Sequence, residues 1–270
     1  MTARHVYSAL EDIPGLLARL TPRDRLLIDL LGRHSVLTID QIHRLYFPSL
    51  RATRYRIATL LDYGVLCRFR ALVRPGSQAF RYTLGFAGAV LHAAATDQPL
   101  PRLPAWNERL TRLAASPKLP HLLGVNDFFC RILATARASG DVDLTEWRSE
   151  AETGEITGGI IRPDAAATVN TSEGACAFWL EHDTGTETLA RLVTKVDRYC
   201  DHLAGSGRAV CFELPSAARE ANVHAALGGQ RRPLPIATIV SVRAADPTGP
   251  VWRRLGKPGL WRLTDLAADR

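Results

Sequence analysis

Apolar residues recur at helical spacing through the first hundred positions, whereas from about residue 107 short runs with two-residue alternation are interleaved with helical segments. In "LTPRDRLLIDLLGRH", Thr21 as N-cap, Pro22 at the first helical position and Asp24 at the third predict a helix. "LTIDQIHRLYF" repeats the signal, with Thr38 as cap and Gln41 completing a capping box. "SLRATRYRIATLLDYGVL" predicts a third helix from near Ser49 to Gly64, a residue suited to the left-handed turn past a helix end. "VLCRFRALVRPGSQAFRYTLG" then alternates and turns at Pro75-Gly76, as a β-hairpin does. "FAGAVLHAAAT" predicts a closing helix, and the prolines of "DQPLPRLPAW" mark a boundary.

Three short helices followed by a hairpin are the order of a winged helix-turn-helix, so residues 1–97 are expected to form a DNA-binding domain. On the third helix Ile57, Leu60 and Leu61 face the core, which leaves Arg51, Arg54, Tyr55 and Ala58 on the opposite stripe. Arginines there can reach guanine edges or phosphates in a major groove. Arg68 and Arg70 share one side of the wing's first strand, and Arg81 lies on the second. The same fold also serves protein contacts, the other use of this surface. Residues 98–118 are expected to be a linker and bridging helix ("NERLTRLAAS"). Residues 119–270 then read as helix, three strands ("VDLTEWRSE", "GIIRPDAAATV", "ACAFWLEHD"), helix, strand, helix, strand: an α/β domain with a mixed sheet.

Charge sharpens this division. Residues 1–90 hold 13 Lys/Arg against 6 Asp/Glu, and the remaining 180 residues hold 21 of each, so the net charge of +7 sits in the first third. A polyanion-binding first module joined to a neutral second one is expected. The longest apolar runs fall short of the roughly 18 residues that a membrane helix needs, and "MTARHVYSALEDIPG" has no apolar signal-peptide core, so a cytoplasmic protein without a membrane segment is expected. Five cysteines with no CxxC pair argue against a disulfide framework or a zinc knuckle.

The candidate chemistry lies in "IIRPDAAATV" and "ACAFWLEHDTGTE". Alternation along a strand puts Trp179, Glu181 and Asp183 on one face and Phe178, Leu180 and His182 on the other. If "NTSEG" closes a hairpin with Asn170 opposite Ala175, Asp164 falls opposite Glu181; an odd-length loop would place it opposite His182 instead. Opposed carboxylates need a cation or a shared proton between them, and such a pair suits Mg²⁺ or Mn²⁺. Only Lys118, Lys195 and Lys257 are lysines among 34 basic residues, and Lys195 follows the acidic strand by one helix. With Glu187, Arg191 and Tyr199 it makes a stripe at spacing four, read either as a salt-bridged surface or as a charge that orients water and stabilises a phosphorane.

A helix, three strands, "RPD", "WLEHD", a helix and another strand resemble the PD-(D/E)XK nuclease fold. That resemblance implies Asp164 and Glu181 as metal ligands. The position usually held by its lysine is Asp183 here, and in members that move the lysine to the following helix Lys195 is the counterpart. A further acid from the first core helix or strand leaves Asp127 and Glu150 open. A winged helix ahead of "RPDA…FWLEHDTGTETLARLVTKVDRY" resembles the plasmid replication-relaxation family and the C-class mobilisation relaxases. This implies recognition and nicking of duplex DNA at a plasmid or integrative-element origin, alongside other transfer or replication proteins, with Tyr199 as a nucleophile or DNA contact.

No two histidines stand two residues apart, and "GKPG" lacks Walker spacing, so neither a His-x-His relaxase site nor an ATP-driven motor is indicated. Two functions remain: a divalent-metal-dependent nicking endonuclease guided by its winged helix, and a non-catalytic DNA-binding regulator or replication accessory protein whose nuclease-like domain is degenerate.

Overall fold

A computed structural model describes residues 12–70, 79–243 and 245–267. The hairpin turn expected at Pro75-Gly76 lies outside them. The chain divides into two compact units, Met1–Asn126 and Asp127–Arg270.

The first unit is built on helix-capping chemistry. After α1 (Ile13–Arg19), α2 (Pro22–His34) is capped by Thr21 and α3 (Ile39–Tyr46) by Thr38, each with a reciprocal capping box, through Asp24 in the first and the expected Gln41 in the second. Helix α4 (Leu50–Asp62) is capped by Ser49 and ends before Gly64, whose φ of 68° is the left-handed turn that favours glycine. A three-stranded antiparallel sheet of β1 (Leu37–Thr38), β2 (Leu66–Phe69) and β3 (Arg81–Leu84) follows in the order β1-β3-β2. Helices α5 (Phe86–Ala95) and α6 (Leu103–Ala114) come next, the latter beginning inside the proline-rich boundary because Pro104 is tolerated in a first helical turn. Ile57 and Leu60 of α4 are buried, as the helical period requires. The buried Asp24 carboxylate is held by Arg56, whose Nε and Nη2 donate to it at 3.0 and 2.5 Å.

The division between the units falls within α7 (Leu119–Ser139). In the second unit a six-stranded mixed sheet runs β4-β5-β6-β7-β8-β9: β4 (Asp143–Ser149), β5 (Ala165–Thr171), β6 (Gly174–His182), β7 (Ala209–Leu214), β8 (Ile236–Val240) and β9 (Arg253–Arg254). β6, β7 and β8 are mutually parallel and the other neighbours antiparallel. Helices α9 (Leu189–Leu203) and α10 (Ala217–Leu227) make the two crossovers, and they cover one face through Leu192, Val196, Val223 and Leu227 packed on Trp179, Val210 and Phe212. On the other face Phe128 and Phe129 of α7 meet Phe178 and Trp147 in edge-on and stacked contacts. Such ring pairs add about 0.5–1.5 kcal/mol each beyond their buried area.

Four helices and strands among the described residues go beyond the order expected from sequence. Helix α1 and the two-residue strand β1 are two of them. A third is α8 (Glu150–Ile156), where Ser149 and Glu152 form a capping box directly after a strand. The fourth is β9, only two residues long. The strand expected over "GIIRPDAAATV" begins at Ala165 rather than upstream, because Gly158 and Gly159 turn the chain with φ of 61° and 75° and Pro163 offers no N–H to a ladder. The five cysteines are free thiols. No described helix is long and apolar enough to cross a membrane.

Burial pushes the Asp24 carboxyl up, but hydrogen bonds from Arg56 and Thr21 outweigh it and hold the carboxyl below its ordinary value. The resulting stability is present above pH 3.8 and is lost as pH falls through the depressed folded value. Arg56→Ala leaves that buried charge uncompensated and is expected to cost about 3 kcal/mol near neutral pH, read by urea denaturation. An unchanged midpoint would show that the pair contributes nothing.

Candidate functional site

The hairpin between β5 and β6 sets the register of the acidic residues. Asn170 pairs with Ala175, Thr171 with Gly174 and, at the last rung, Ala165 with Leu180, so Asp164 and Glu181 each stand one residue past the end of that ladder. Glu181 points to the α9 face with Trp179, where burial would be prohibitive for a lone carboxylate. Its two oxygens are both engaged: Lys195 Nζ donates to Oε2 at 3.0 Å and the Tyr199 hydroxyl to Oε1 at 2.6 Å. Lys195 also lies 3.4 Å from Glu187 Oε2. Burial and the neighbouring Asp164 raise the Glu181 carboxyl to about 7, against the opposing pull of Lys195 and Tyr199. Burial and the Glu181 charge in turn push the Tyr199 hydroxyl well above its ordinary value. Burial alone would lower the Lys195 ammonium, but Glu181 and Glu187 more than reverse it.

Lys195 and Tyr199 lie one helical turn apart on α9, so one face of one helix supplies both donors. Glu187 precedes the N-cap Thr188 and stands outside the helix, a correction to the expected four-residue stripe; it reaches Lys195 from the preceding loop. Tyr199 has no exposed surface, a position suited to holding Glu181 and not to touching DNA.

Asp183 parts from this group. Strand β6 ends at His182, so the alternation that would place Asp183 beside Glu181 stops there. Its Oδ1 accepts from Gly185 N at 2.6 Å, and its Oδ2 from Arg219 Nε of α10 at 2.7 Å. The two candidates for a further acid separate as well. Glu150 follows Ser149, the partner of Ala165, so the sheet brings it to the same end as Asp164. Asp127 accepts from Arg131 Nε at 3.1 Å on the α7 face.

That second face carries a network which sequence reasoning missed. Glu213 of β7 is buried; its Oε2 takes a hydrogen bond from His182 Nδ1 at 2.7 Å, and its Oε1 is paired with Arg131. Burial alone would raise this carboxyl, but His182 and Arg131 hold it below its ordinary value. His182 meanwhile donates its backbone N–H to Asp164 Oδ2 at 2.8 Å, which ties the two faces together at one residue. A glutamate inside the apolar run "RAVCFEL" was the available signal.

The residues that could hold a cation are the carboxylate pair Asp164 and Glu181. Among the described residues no group of three or more His, Cys, Asp or Glu side chains forms a metal cage. A pair of hard oxygen donors fits Mg²⁺ or Mn²⁺, ions that complete their shells with water and substrate phosphate oxygens.

In the first unit, α4 exposes Arg51, Arg54 and Tyr55, the last with 78% of its surface free. Arg68 and Arg70 sit over the Phe80 ring at 4.3 and 4.2 Å. Arg54, Ala58, Arg68 and Phe80 border a groove of about 340 Å³ between α4 and the sheet. Arg81, in the centre strand β3, donates Nη1 to Ala79 O at 3.1 Å and is half-buried rather than presented on the surface.

A family model described as replication-relaxation matches residues 28–210. No curated protein and no solved structure matches the chain.

The Glu181 network predicts a specific coupling. Lys195→Met strips the cation from a buried carboxylate and is expected to cost about 2–4 kcal/mol of stability at pH 8, less than for a fully buried pair because Lys195 is partly solvated. Adding Glu181→Gln should recover most of that loss. A double-mutant cycle by urea denaturation checks it, and additive costs would show that the two side chains do not interact.

Proposed function

The chain belongs to the replication-relaxation family, and we propose that it is a DNA-nicking endonuclease, directed to a plasmid or integrative-element origin by its first unit and cutting with its second. Family membership supports a DNA-related role in plasmid replication or relaxation. The observation that carries the catalytic part is the buried Glu181 with Asp164 near it just past the end of the ladder and Lys195 on its Oε2. Three capped helices and a three-stranded sheet support a winged helix, and a mixed sheet with paired acids at a strand end supports a PD-(D/E)XK-like domain.

Asp164 and Glu181 would hold a Mg²⁺ or Mn²⁺ ion, which when bound supplies a Lewis acid for the phosphodiester and lowers the pKa of a water. The protein's own groups do the rest. The Tyr199 hydroxyl fixes the Glu181 carboxylate from the core side, and the His182 backbone N–H fixes Asp164, so neither acid must reorganise during reaction. Lys195, about one-third exposed, presents a compact positive charge where the phosphate gathers negative charge on cleavage. Asp183, bound to Arg219, shapes the turn after β6 and does not stand in for the displaced lysine.

A second reading is favoured by the closed state of the network. Glu181 already has a donor on each oxygen, and Asp183 fills the usual lysine position. In that reading the protein is a DNA-binding accessory factor with a degenerate nuclease-like unit. Relaxation of a supercoiled plasmid bearing the cognate origin, with Mg²⁺, Mn²⁺ or chelator, separates the two: metal-dependent nicking assigns the enzyme, and its absence assigns the accessory factor.

If it nicks, Asp164→Ala and Glu181→Ala should each lower nicking by about two orders of magnitude or more while duplex binding persists. Lys195→Ala should lower the rate more than the affinity. Arg51→Ala and Arg54→Ala should weaken preference for the cognate duplex by about 1–3 kcal/mol for any bidentate guanine contact, whereas Arg68→Ala and Arg70→Ala should lower affinity on every sequence. Fluorescence anisotropy on cognate and scrambled duplexes checks the binding half, and equal losses on both from Arg51 and Arg54 would remove α4 as the reading helix.

A further inference from the structure

The second unit lies in the part of the chain whose charge balances, yet its basic side chains are not evenly spread. At the N-terminal ends of β7 and β8 an open cleft of about 710 Å³ is bordered by Arg208, Arg231, Arg232, Arg254 and Lys257, and among the described residues no acidic one lines it. A second hollow of about 390 Å³ adjoins it, sharing Arg254, Gly256 and Lys257 and adding Arg253 and His224. The nearby acids are already committed. Arg208 Nη2 holds Glu146 at 2.6 Å, Arg232 Nη1 holds Asp197 at 2.5 Å, and Arg253 Nε lies 3.5 Å from Glu220. Arg231 and Lys257 are exposed, and among the described residues neither side chain is in an ion pair.

We propose that this cleft is a second nucleic-acid site, which holds the phosphodiester backbone through charge alone. The basic groups come from three separate stretches of chain, Arg208, Arg231–Arg232 and Arg253–Lys257, spread around two joined hollows, an arrangement suited to a run of phosphates and not to a single one. Among the described residues no aromatic side chain lines either hollow to offer a platform on which bases stack, which suits contact with the backbone, independent of sequence. Gly207, Gly229 and Gly256 adopt left-handed turns with φ of 68°, 82° and 72°, and the space where each Cβ would stand is open, which leaves bare backbone on the rim for close approach. The cleft lies at the N-terminal end of β7, and Glu181 pairs with Phe212 three residues further along that strand, about 10 Å away. It holds DNA at a distance from the acid pair and is independent of whether that pair cleaves.

The test uses the full chain carrying Arg51→Ala and Arg54→Ala, which weakens the contacts proposed for α4. To this background Arg231→Ala and Lys257→Ala are added, and binding of a labelled 20-nucleotide oligothymidine and of a random duplex is followed by anisotropy at several salt concentrations. Loss of about tenfold in affinity for either probe is expected, with the salt slope for the single strand flattened by about 1.4 for two lost phosphate contacts. Arg137→Ala, an exposed arginine outside the cleft, is the control for simple loss of charge and should change little. Unchanged affinity and slope for both probes would overturn the proposal. So would an equal loss from Arg137→Ala, or displacement of the oligonucleotide by inorganic phosphate at matched phosphate concentration, which would mark a small-anion site.

Discussion

A carboxylate cannot be buried at the end of a central strand without compensation, and the second unit is arranged around that constraint at Glu181. The cost of desolvating the charge is met from one side by Lys195 and Tyr199, one turn apart on α9, while Asp164 works against it. The crossover helix must therefore dock in one rotation, with Leu192, Val196 and Tyr199 inward and Lys195 at the rim. The same helix closes the core, so packing and site geometry are set by one contact surface. The strand beside it meets the same problem on the opposite face, where Glu213 is neutralised by Arg131 and His182.

Much of this was legible in the sequence because it rests on local rules. The N-cap at Thr21 and the capping box at Thr38 need only residues three apart, and both are formed as expected, with Asp24 completing a box at Thr21 as well. The hairpin register followed from the placing of "NTSEG" and strand parity, and it brought Asp164 and Glu181 to the same end of the hairpin, each one residue past the last rung. Lys195 stood out by composition, in a chain that otherwise writes arginine.

What was not legible depends on partners far away in the chain. Arg131 meets Glu213 across 82 residues, and Asp183 finds Arg219 across 36. No spacing rule connects such positions. Parity failed for Asp183 for a definite reason: alternation is a property of a strand, and the strand had ended one residue earlier. Net charge failed in a related way. A balance of zero over a segment says nothing of where the charges gather, and the cleft around Arg231 and Lys257 draws on basic residues from three separate stretches.

His182 occupies an unusual place between the two faces. Its ring serves Glu213 on one side, and its main-chain N–H serves Asp164 on the other. These duties belong to different parts of the residue, so they are genetically separable. Any side-chain exchange touches only the far face, because every amino acid but one brings the same N–H. Only an imino acid reaches the near face. A defect that appears with proline alone at this position would report on the backbone's hold over Asp164, and a defect shared by all replacements would report on the imidazole.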